Sequence, residues 1–508
     1  MGARIDVLLI NPGSRARIYQ GLGAKLTAVE PPVWAGLIAT FLRQRGQTVA
    51  IVDAEAEELA SEQVAQRVQQ AGARLAAIVV YGHQPSASTQ NMTGAGLIAS
   101  AIKQLTPTQP LIMAGGHVAA LPERTLREEA VDFVATGEGP YTVAELSEAL
   151  AAGECDWSKV RGLGWLADGV AQFSSPAPLV QDLDREMPGI AWDLLPMDRY
   201  RAHNWHCFDG LHRQPYAALY TTLGCPYHCS FCCIQSPFKS GEKVLGLRES
   251  TNSYRIWSAA RVLDELELLA TRYGVRNVKI ADEMFVLNPK HIQTLCDGIV
   301  ERGLDLNFWA YARVDTVRDG MVEKLKAAGF NWLAFGIEAA NARVRDDVQK
   351  GFGQELITAT LTKVRRGGIY VIGNYIFGLP EDDFDTMQQT LDMALELNCE
   401  FGNFYSAQAY PGSQLYQRAV EEGWPLPERW SGYSQHAEDS LPLPTKYLTA
   451  GEVLRFRDDA FQAYFRSPRY LALIERTFGP STVEHVRQMV AQPLRRRFAA
   501  PPRQTAAV

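Results

Sequence analysis

Short apolar runs alternate with amphipathic segments twice along this chain, and that double alternation constrains the fold more than any other feature. Over the first 150 residues the runs RIDVLLINP, TVAIVDA, LAAIVVYG, PLIMAGGH and VDFVATGEG are separated by helical patterns such as PPVWAGLIATFLRQRG and SEQVAQRVQQAG. Strands alternating with helices predict a parallel sheet covered on both faces. From Tyr216 the alternation resumes as β-to-α units whose strands are YAALYTTLG, VRNVKIADE, LNFWAYARVD, WLAFGIEAAN, YVIGNYIFGLP and EFGNFYSAQAYPG. Units of that number suit an incomplete parallel barrel. The expected class is α/β: a Rossmann-like domain over 1–150, an irregular Pro-containing linker over 151–214, a partial (β/α)6 barrel over 215–425, and a small, mainly helical region over 426–508 that ends in a disordered tail.

In parallel sheets ligands sit beyond the carboxyl ends of the strands. In the first domain those ends carry Asn11, Pro12 and Gly13, then Asp53, Gly82 and His83, Gly115, Gly116 and His117, and Gly137, Glu138 and Gly139. That arrangement reads as a ligand crevice. The G-x-G-x-x-G fingerprint is missing after the first strand, which argues against a nicotinamide dinucleotide. In the barrel the corresponding ends carry a cysteine cluster, Asp282 and Glu283, Arg313, Glu338, Asn374, and Tyr410, Pro411 and Gly412.

Composition narrows the partners. A formal net charge of −7 offers no broad basic field for a phosphate backbone, so no nucleic-acid partner is expected. The basic run Arg495–Arg497 reads as a solvated end. No apolar run is long enough to span a membrane, and the opening MGARIDVLLINPG lacks a cleavable signal pattern, so a soluble cytoplasmic protein is expected. Eight cysteines in 508 residues are too few for a disulfide scaffold. Cys155, Cys207, Cys296 and Cys399 are isolated and read as inert small hydrophobes.

Cys225, Cys229, Cys232 and Cys233 fall together, the first three with C-x3-C-x2-C spacing after the first barrel strand. Three thiolates on one loop can hold three irons of a cubane cluster and leave the fourth iron open for a small molecule. A zinc site completed by His228 or Cys233 is the alternative on the residues alone.

At these residues the sequence resembles the radical S-adenosylmethionine (radical SAM) superfamily. The resemblance implies that Cys225, Cys229 and Cys232 ligate a 4Fe–4S cluster, with Phe231 at the family's aromatic position; Cys233 lies outside the pattern and reads as a packed thiol. It further implies SAM contacts from Asp282 and Glu283 in IADEMFVLN, Arg313 in YARVD, Glu338 in FGIEAAN, Gly373, Gly378 and Glu381 in GNYIFGLPED, and Tyr410 and Pro411 in AYPGSQLY. The first domain, through VLLINP, GLIATFLRQRG, VAIVDA, AGGHVAALPE and DFVATGEG, resembles the cobalamin-binding domain that precedes the barrel in cobalamin-dependent radical SAM enzymes. Asn11, Pro12, Asp53, Gly82, His83, Gly115, Gly116, His117, Gly137, Glu138 and Gly139 are its implied cofactor-binding positions. The D-x-H-x-x-G motif that supplies a lower axial histidine in other cobalamin enzymes is absent.

What the resemblance implies is a radical SAM enzyme of the methyltransferase kind. A 5′-deoxyadenosyl radical abstracts hydrogen from an unactivated carbon, methylcobalamin supplies the methyl group, and a flavodoxin- or ferredoxin-like donor supplies electrons. A small-molecule substrate is expected. The mechanism requires both crevices to open on one cavity. Cyclisation or rearrangement without methyl transfer is the alternative within the family, and a non-catalytic corrinoid or metal sensor the alternative outside it. A tRNA methylthiotransferase would want a second cysteine trio and a basic tail module, and neither is visible. Aromatic residues such as Trp257, Trp309, Trp332, Tyr405, Trp430 and Tyr433 are pocket candidates, the strand-borne ones reading as core. The polar and aromatic segment WSGYSQHAEDSLPLPTKYL is placed over the barrel mouth.

Overall fold

The computed structural model describes residues 5–23 and 26–501, so the expected disordered tail at 502–508 lies outside the described residues. The first sheet contains β1 (Val7–Asn11), β2 (Val49–Asp53), β3 (Leu75–Val79), β4 (Leu111–Ala114) and β5 (Phe133–Ala135), all parallel, in the order β2-β1-β3-β4-β5. Alternate residues of a strand point to opposite faces. In β1, Val7 and Leu9 join one hydrophobic core while Leu8 and Ile10 join the other, which is why the strand reads as an unbroken apolar run.

Residues 163–173 depart from expectation. They form a hairpin of β6 (Leu163–Ala167) and β7 (Val170–Phe173) that adds antiparallel to β5 and extends the sheet to seven strands. Asp168 and Gly169 turn it with φ of 50° and 77°. Asp-Gly between two short runs is a strong hairpin signal, and the linker reading passed over it.

The second sheet has six parallel strands: β8 (Tyr216–Leu219), β11 (Asn277–Ile280), β12 (Asn307–Ala312), β13 (Phe330–Glu338), β14 (Tyr370–Phe377) and β15 (Phe401–Ser406), in the order β15-β14-β13-β12-β11-β8. Between β8 and β11 a two-stranded ribbon of β9 (Thr222–Leu223) and β10 (Arg255–Ile256) brackets the cysteine loop. The amino-terminal end of this curved sheet is plugged by Trp205, whose ring lies 5.0 Å from that of Trp309 and 5.5 Å from that of Trp332. Three helices follow the barrel, Ala450–Arg466, Pro468–Phe478 and Pro480–Val490, and the described residues after them have no regular structure.

The run Arg495–Arg497 is not a uniformly solvated end. The Arg496 side chain is 5% exposed, with Nε 2.9 Å from Asp458 Oδ2 and Nη2 donating to the Gln435 carbonyl, which fastens this segment to the body. Of the isolated cysteines, Cys207, Cys296 and Cys399 are buried, whereas Cys155 is exposed.

Candidate functional site

A single cavity of about 670 Å³ lies between the two sheets. Its walls include Asn11 and Pro12 at the end of β1, Gly82 and His83 after β3, and Cys225, Cys229, Cys232, Glu283, Arg313, Glu338 and Tyr410 from the barrel. Both crevices therefore open on one space. Gln435 and His436 of the segment that follows the barrel close part of it, and the Ser434 hydroxyl donates to the Ile18 carbonyl across the mouth.

The cysteine loop is positioned from beneath by Asp282. One carboxylate oxygen accepts from the backbone N–H groups of Thr221 (2.6 Å) and Thr222 (3.1 Å), and the other from the Thr221 hydroxyl (2.5 Å). Asp282 is thus consumed as a buried strut, its pKa pushed up to about 6 by burial, and does not reach the cavity where the SAM contact was expected. Glu283 does line the cavity. Its Oε2 has no hydrogen-bond partner, and burial pushes its pKa up to about 8 against the pull of the Lys279 charge, so a cationic ligand at this oxygen would favour the carboxylate.

Burial also raises the thiols, Cys225 and Cys233 to about 12 and Cys232 well above the usual range; a bound metal would be what draws them into the thiolate form. All eight cysteines are free. Among the described residues no three His, Cys, Asp or Glu side chains converge closely enough for a single ion. His228, the histidine of the zinc alternative, is exposed and stands 3.3 Å from Asn252. A four-iron cube spreads its thiolates wider than one ion does, and three thiols of one loop facing a common cavity fit that group.

Arg313 sits beside them. Its Nη1 is 3.8 Å from Cys229 Sγ, its Nε is held by Asp315 (2.9 Å), and its guanidinium carbon lies 4.2 Å from the Tyr227 ring centroid. Across the cavity Glu338 has φ of +64°, uncommon for a side chain with a Cβ, at a register irregularity where β13 meets β14. Such bulges re-aim side chains at the cost of local strain. Lys350 forms a buried ion pair with the Glu338 carboxylate. Gln408, also lining the cavity, is 4% exposed with both ends of its amide unpartnered.

Other expected positions are not brought to the cavity. Gly373 packs beneath the Tyr375 ring, and Gly378, with φ of +80°, is where Val453 of the last helical region approaches closely. In the turn that follows, Asp382 accepts from the N–H groups of Gly378 and Leu379 while Glu381 points away to Arg343, 3.6 Å distant. Pro411 is buried in a turn whose Gly412 lies against Ser236. In the first domain Asp53 bonds Asn11 (2.7 Å) and the Tyr200 hydroxyl (2.8 Å). His117 lies edge-on to Trp430 and bonds Thr89. Glu138 makes a buried ion pair with Arg255 at 2.7 Å. Gly115 packs on the Val80 carbonyl, Gly137 on Ser240 and Gly139 on Ala114, while Gly116 lines a small crevice of about 20 Å³ beside the large cavity.

Sequence reasoning missed a charged bridge between the two sheets. Glu30 Oε1 accepts from Lys279 Nζ (2.9 Å) and the Tyr216 hydroxyl (3.1 Å), and Glu30 Oε2 stands 3.0 Å from His83 Nδ1. Burial would raise the Glu30 pKa, but the His83 and Lys279 charges outweigh it and hold the carboxyl well below its usual range. Lys279 also lies 4.8 Å from the Trp309 centroid and is 2% exposed. Its signal was a lysine inside an apolar strand, where lysine is rarely buried without a partner. Of the pocket aromatics, Trp309 and Tyr405 line the cavity; the Trp257 indole instead donates to the Met187 carbonyl.

Two family models match the chain: B12 binding domain over residues 19–147 and Radical SAM superfamily over 219–394. An uncharacterized methyltransferase of Pyrococcus horikoshii is 28% identical over 468 residues, covering 92% of this chain and 94% of that protein. The anaerobic magnesium-protoporphyrin IX monomethyl ester cyclase of Rubrivivax gelatinosus is 26% identical over 81% of this chain and 69% of its own. Among solved structures, the radical SAM methyltransferase TsrM from Kitasatospora setae, with cobalamin and a [4Fe-4S] cluster bound, superposes with a TM-score of 0.66 at 17% identity, over 92% of this chain and 89% of that one. At that identity the likeness speaks for the fold.

Proposed function

Because the chain belongs to the radical SAM enzymes that carry a B12-binding domain, with a 4Fe–4S cluster, SAM and cobalamin as cofactors, we propose that it methylates an unactivated carbon of a small polar molecule. The observation that carries this reading is the single cavity shared by the ends of β1 and β3 and by the three-cysteine loop. Bound there, the cofactors supply a 5′-deoxyadenosyl radical that takes a hydrogen atom and a methyl group that replaces it.

The chain supplies placement and dryness. Cys225, Cys229 and Cys232 are the thiolate donors for three irons. The planar fork of Arg313 suits the carboxylate of SAM, and the unpartnered Glu283 suits its ammonium. Glu338, aimed by its bulge and held by Lys350, is an acceptor for hydroxyl groups. Asn11, Pro12, Gly82 and His83 border the space for the corrin. Lys279, Asn374, Asn403, Tyr405 and the unpaired amide of Gln408 line the barrel interior, which supports a polar substrate. Ser434 to His436 help keep water out of a space where a radical would otherwise be quenched.

A cytoplasmic setting and an external one-electron donor complete the reading. No helix among the described residues is long and apolar enough to cross a membrane. The cyclase relative supports ring closure without methyl transfer as the second reading. The test is anaerobic reconstitution with iron, sulfide, hydroxocobalamin, SAM and a strong reductant, then desalting and mass spectrometry. Retained cobalamin near one per chain with 5′-deoxyadenosine formed is the expected outcome. Deoxyadenosine without retained cobalamin removes the methyl-transfer reading, and a methylated product separates methylation from cyclisation.

A further inference from the structure

Immediately after the cysteine loop the chain turns outward. Residues 243–250, at the end of the short helix Lys239–Val244 and just beyond it, are all exposed. They include the apolar side chains Val244 (49% exposed), Leu245 (38%) and Leu247 (37%), framed by Lys243 and Arg248. Neither Lys243 nor Arg248 has an ion-pair partner among the described residues, and Glu249 is the acidic side chain of the segment. A soluble chain gains nothing in folding from three neighbouring aliphatic side chains left in water.

The strip is fixed to the cysteine loop. Lys239 Nζ donates to Asn252 Oδ1 (2.7 Å), and the Asn252 amide donates to the carbonyl of Tyr227 (2.7 Å), which lies between Cys225 and Cys229. His228 and Pro226 of the same loop are themselves exposed. From behind, Gly241 packs on Leu179, and Glu242 accepts from the N–H of Ser253. The strip is thus braced from within, and two hydrogen bonds separate a surface lysine from the loop that bears the thiols.

We propose that Val244, Leu245 and Leu247 with Lys243 and Arg248 form the docking surface for a small acidic one-electron carrier protein that reduces the cluster. The inference rests on the radical SAM reading above and adds to it where the electron enters. A few apolar side chains inside a charged rim match a weak, transient redox contact. The sign of the rim selects the partner: the whole chain carries a net charge of −7, which repels an acidic protein at long range, while Lys243 and Arg248 attract it here. In the encounter the carrier loses one electron and the cluster gains it; no bond is made or broken.

The test compares reductants on the reconstituted full chain. Cluster reduction is followed by its absorbance after anaerobic mixing with the fully reduced form of an acidic flavodoxin, and separately with reduced methyl viologen, a small cation that needs no docking surface. The Lys243→Glu/Arg248→Glu variant is expected to lose about tenfold or more in the flavodoxin rate at low salt, and the loss shrinks as salt rises. Its methyl viologen rate is not slowed. Leu245→Asp/Leu247→Asp, which keeps the basic residues, is also expected to slow flavodoxin alone. Independently of reduction, carbodiimide cross-linking is expected to join Lys243 to carboxylates of the flavodoxin. Flavodoxin rates unchanged in both variants overturn the docking surface while leaving the radical SAM reading intact. A chain that binds iron and sulfide yet is reduced by neither reagent overturns that reading, and the docking surface with it.

Discussion

The two parallel sheets face the same cavity but deliver their strand ends to it differently. The barrel curves, so the ends of β8, β11, β12, β13 and β15 turn toward a common centre, and Cys225, Glu283, Arg313, Glu338 and Tyr410 meet there although they are spread over the chain. The first sheet is open, and its strand ends lie in a row. In the order β2-β1-β3-β4-β5 the connections reverse direction between β1 and β3, and that switch point is where Asn11, Pro12, Gly82 and His83 reach the cavity. The flanking ends are used otherwise: Asp53 braces Asn11, and Glu138 bolts the sheet to Arg255 beside the cysteine loop. Curvature makes nearly every strand end a candidate; a flatter sheet makes only the central pair one.

The strongest way to break this comparison is at the cysteines. Cys229→Ala is expected to lose iron and labile sulfide on reconstitution and to bring 5′-deoxyadenosine formation below detection, whereas Cys233→Ala keeps both; iron analysis and mass spectrometry read the difference. Next comes the bolt of the open sheet. Arg255→Met leaves Glu138 buried without its partner and is expected to cost about 3–5 kcal/mol in urea unfolding. Cobalamin retained per folded chain should not change, and a variant that folds normally yet loses cobalamin would place Glu138 in the cofactor site instead. The smallest effect concerns Glu283, which holds its proton to about pH 8 in the fold but releases it near 4.5 when unfolded. The folded state binds more protons between those values, so this carboxyl's contribution to stability is full below pH 4.5 and is lost as pH rises toward 8. Glu283→Gln is expected to flatten the pH dependence of unfolding by about 1 kcal/mol over that window, a reduced figure because the carboxyl lines an open cavity. An unchanged slope would mean that Glu283 is solvated.

Local pattern carried the elements well, because apolar runs separated by amphipathic helices report burial on two faces directly. On the barrel side Glu338 stands out as a charge among apolar neighbours and the cysteine spacing stands out by itself, whereas Asp282, Gly373, Gly378, Glu381 and Pro411 do not line the cavity. Local pattern did not carry strand order, which depends on contacts between distant segments, and so could not tell the switch point from the other glycine-rich ends. Asp282 and Glu283 show the same limit at the scale of one residue. Side by side in sequence, one is consumed by the backbone of Thr221 and Thr222 and the other is left without a partner at the cavity. The Asp168–Gly169 hairpin and the buried Lys279 were legible but unread.

The Ser434 to Ile18 bond, with the Gln20 side chain also donating to the carbonyls of His436 and Arg495, joins the segment after β1 to the segments after the barrel at the cavity mouth. On the ribosome the first sheet is complete long before residues beyond 430 have emerged, so the nascent chain passes through a stage with both walls built and no roof. In the finished fold these contacts narrow the mouth, and removing them is expected to quicken exchange of a bulky ligand.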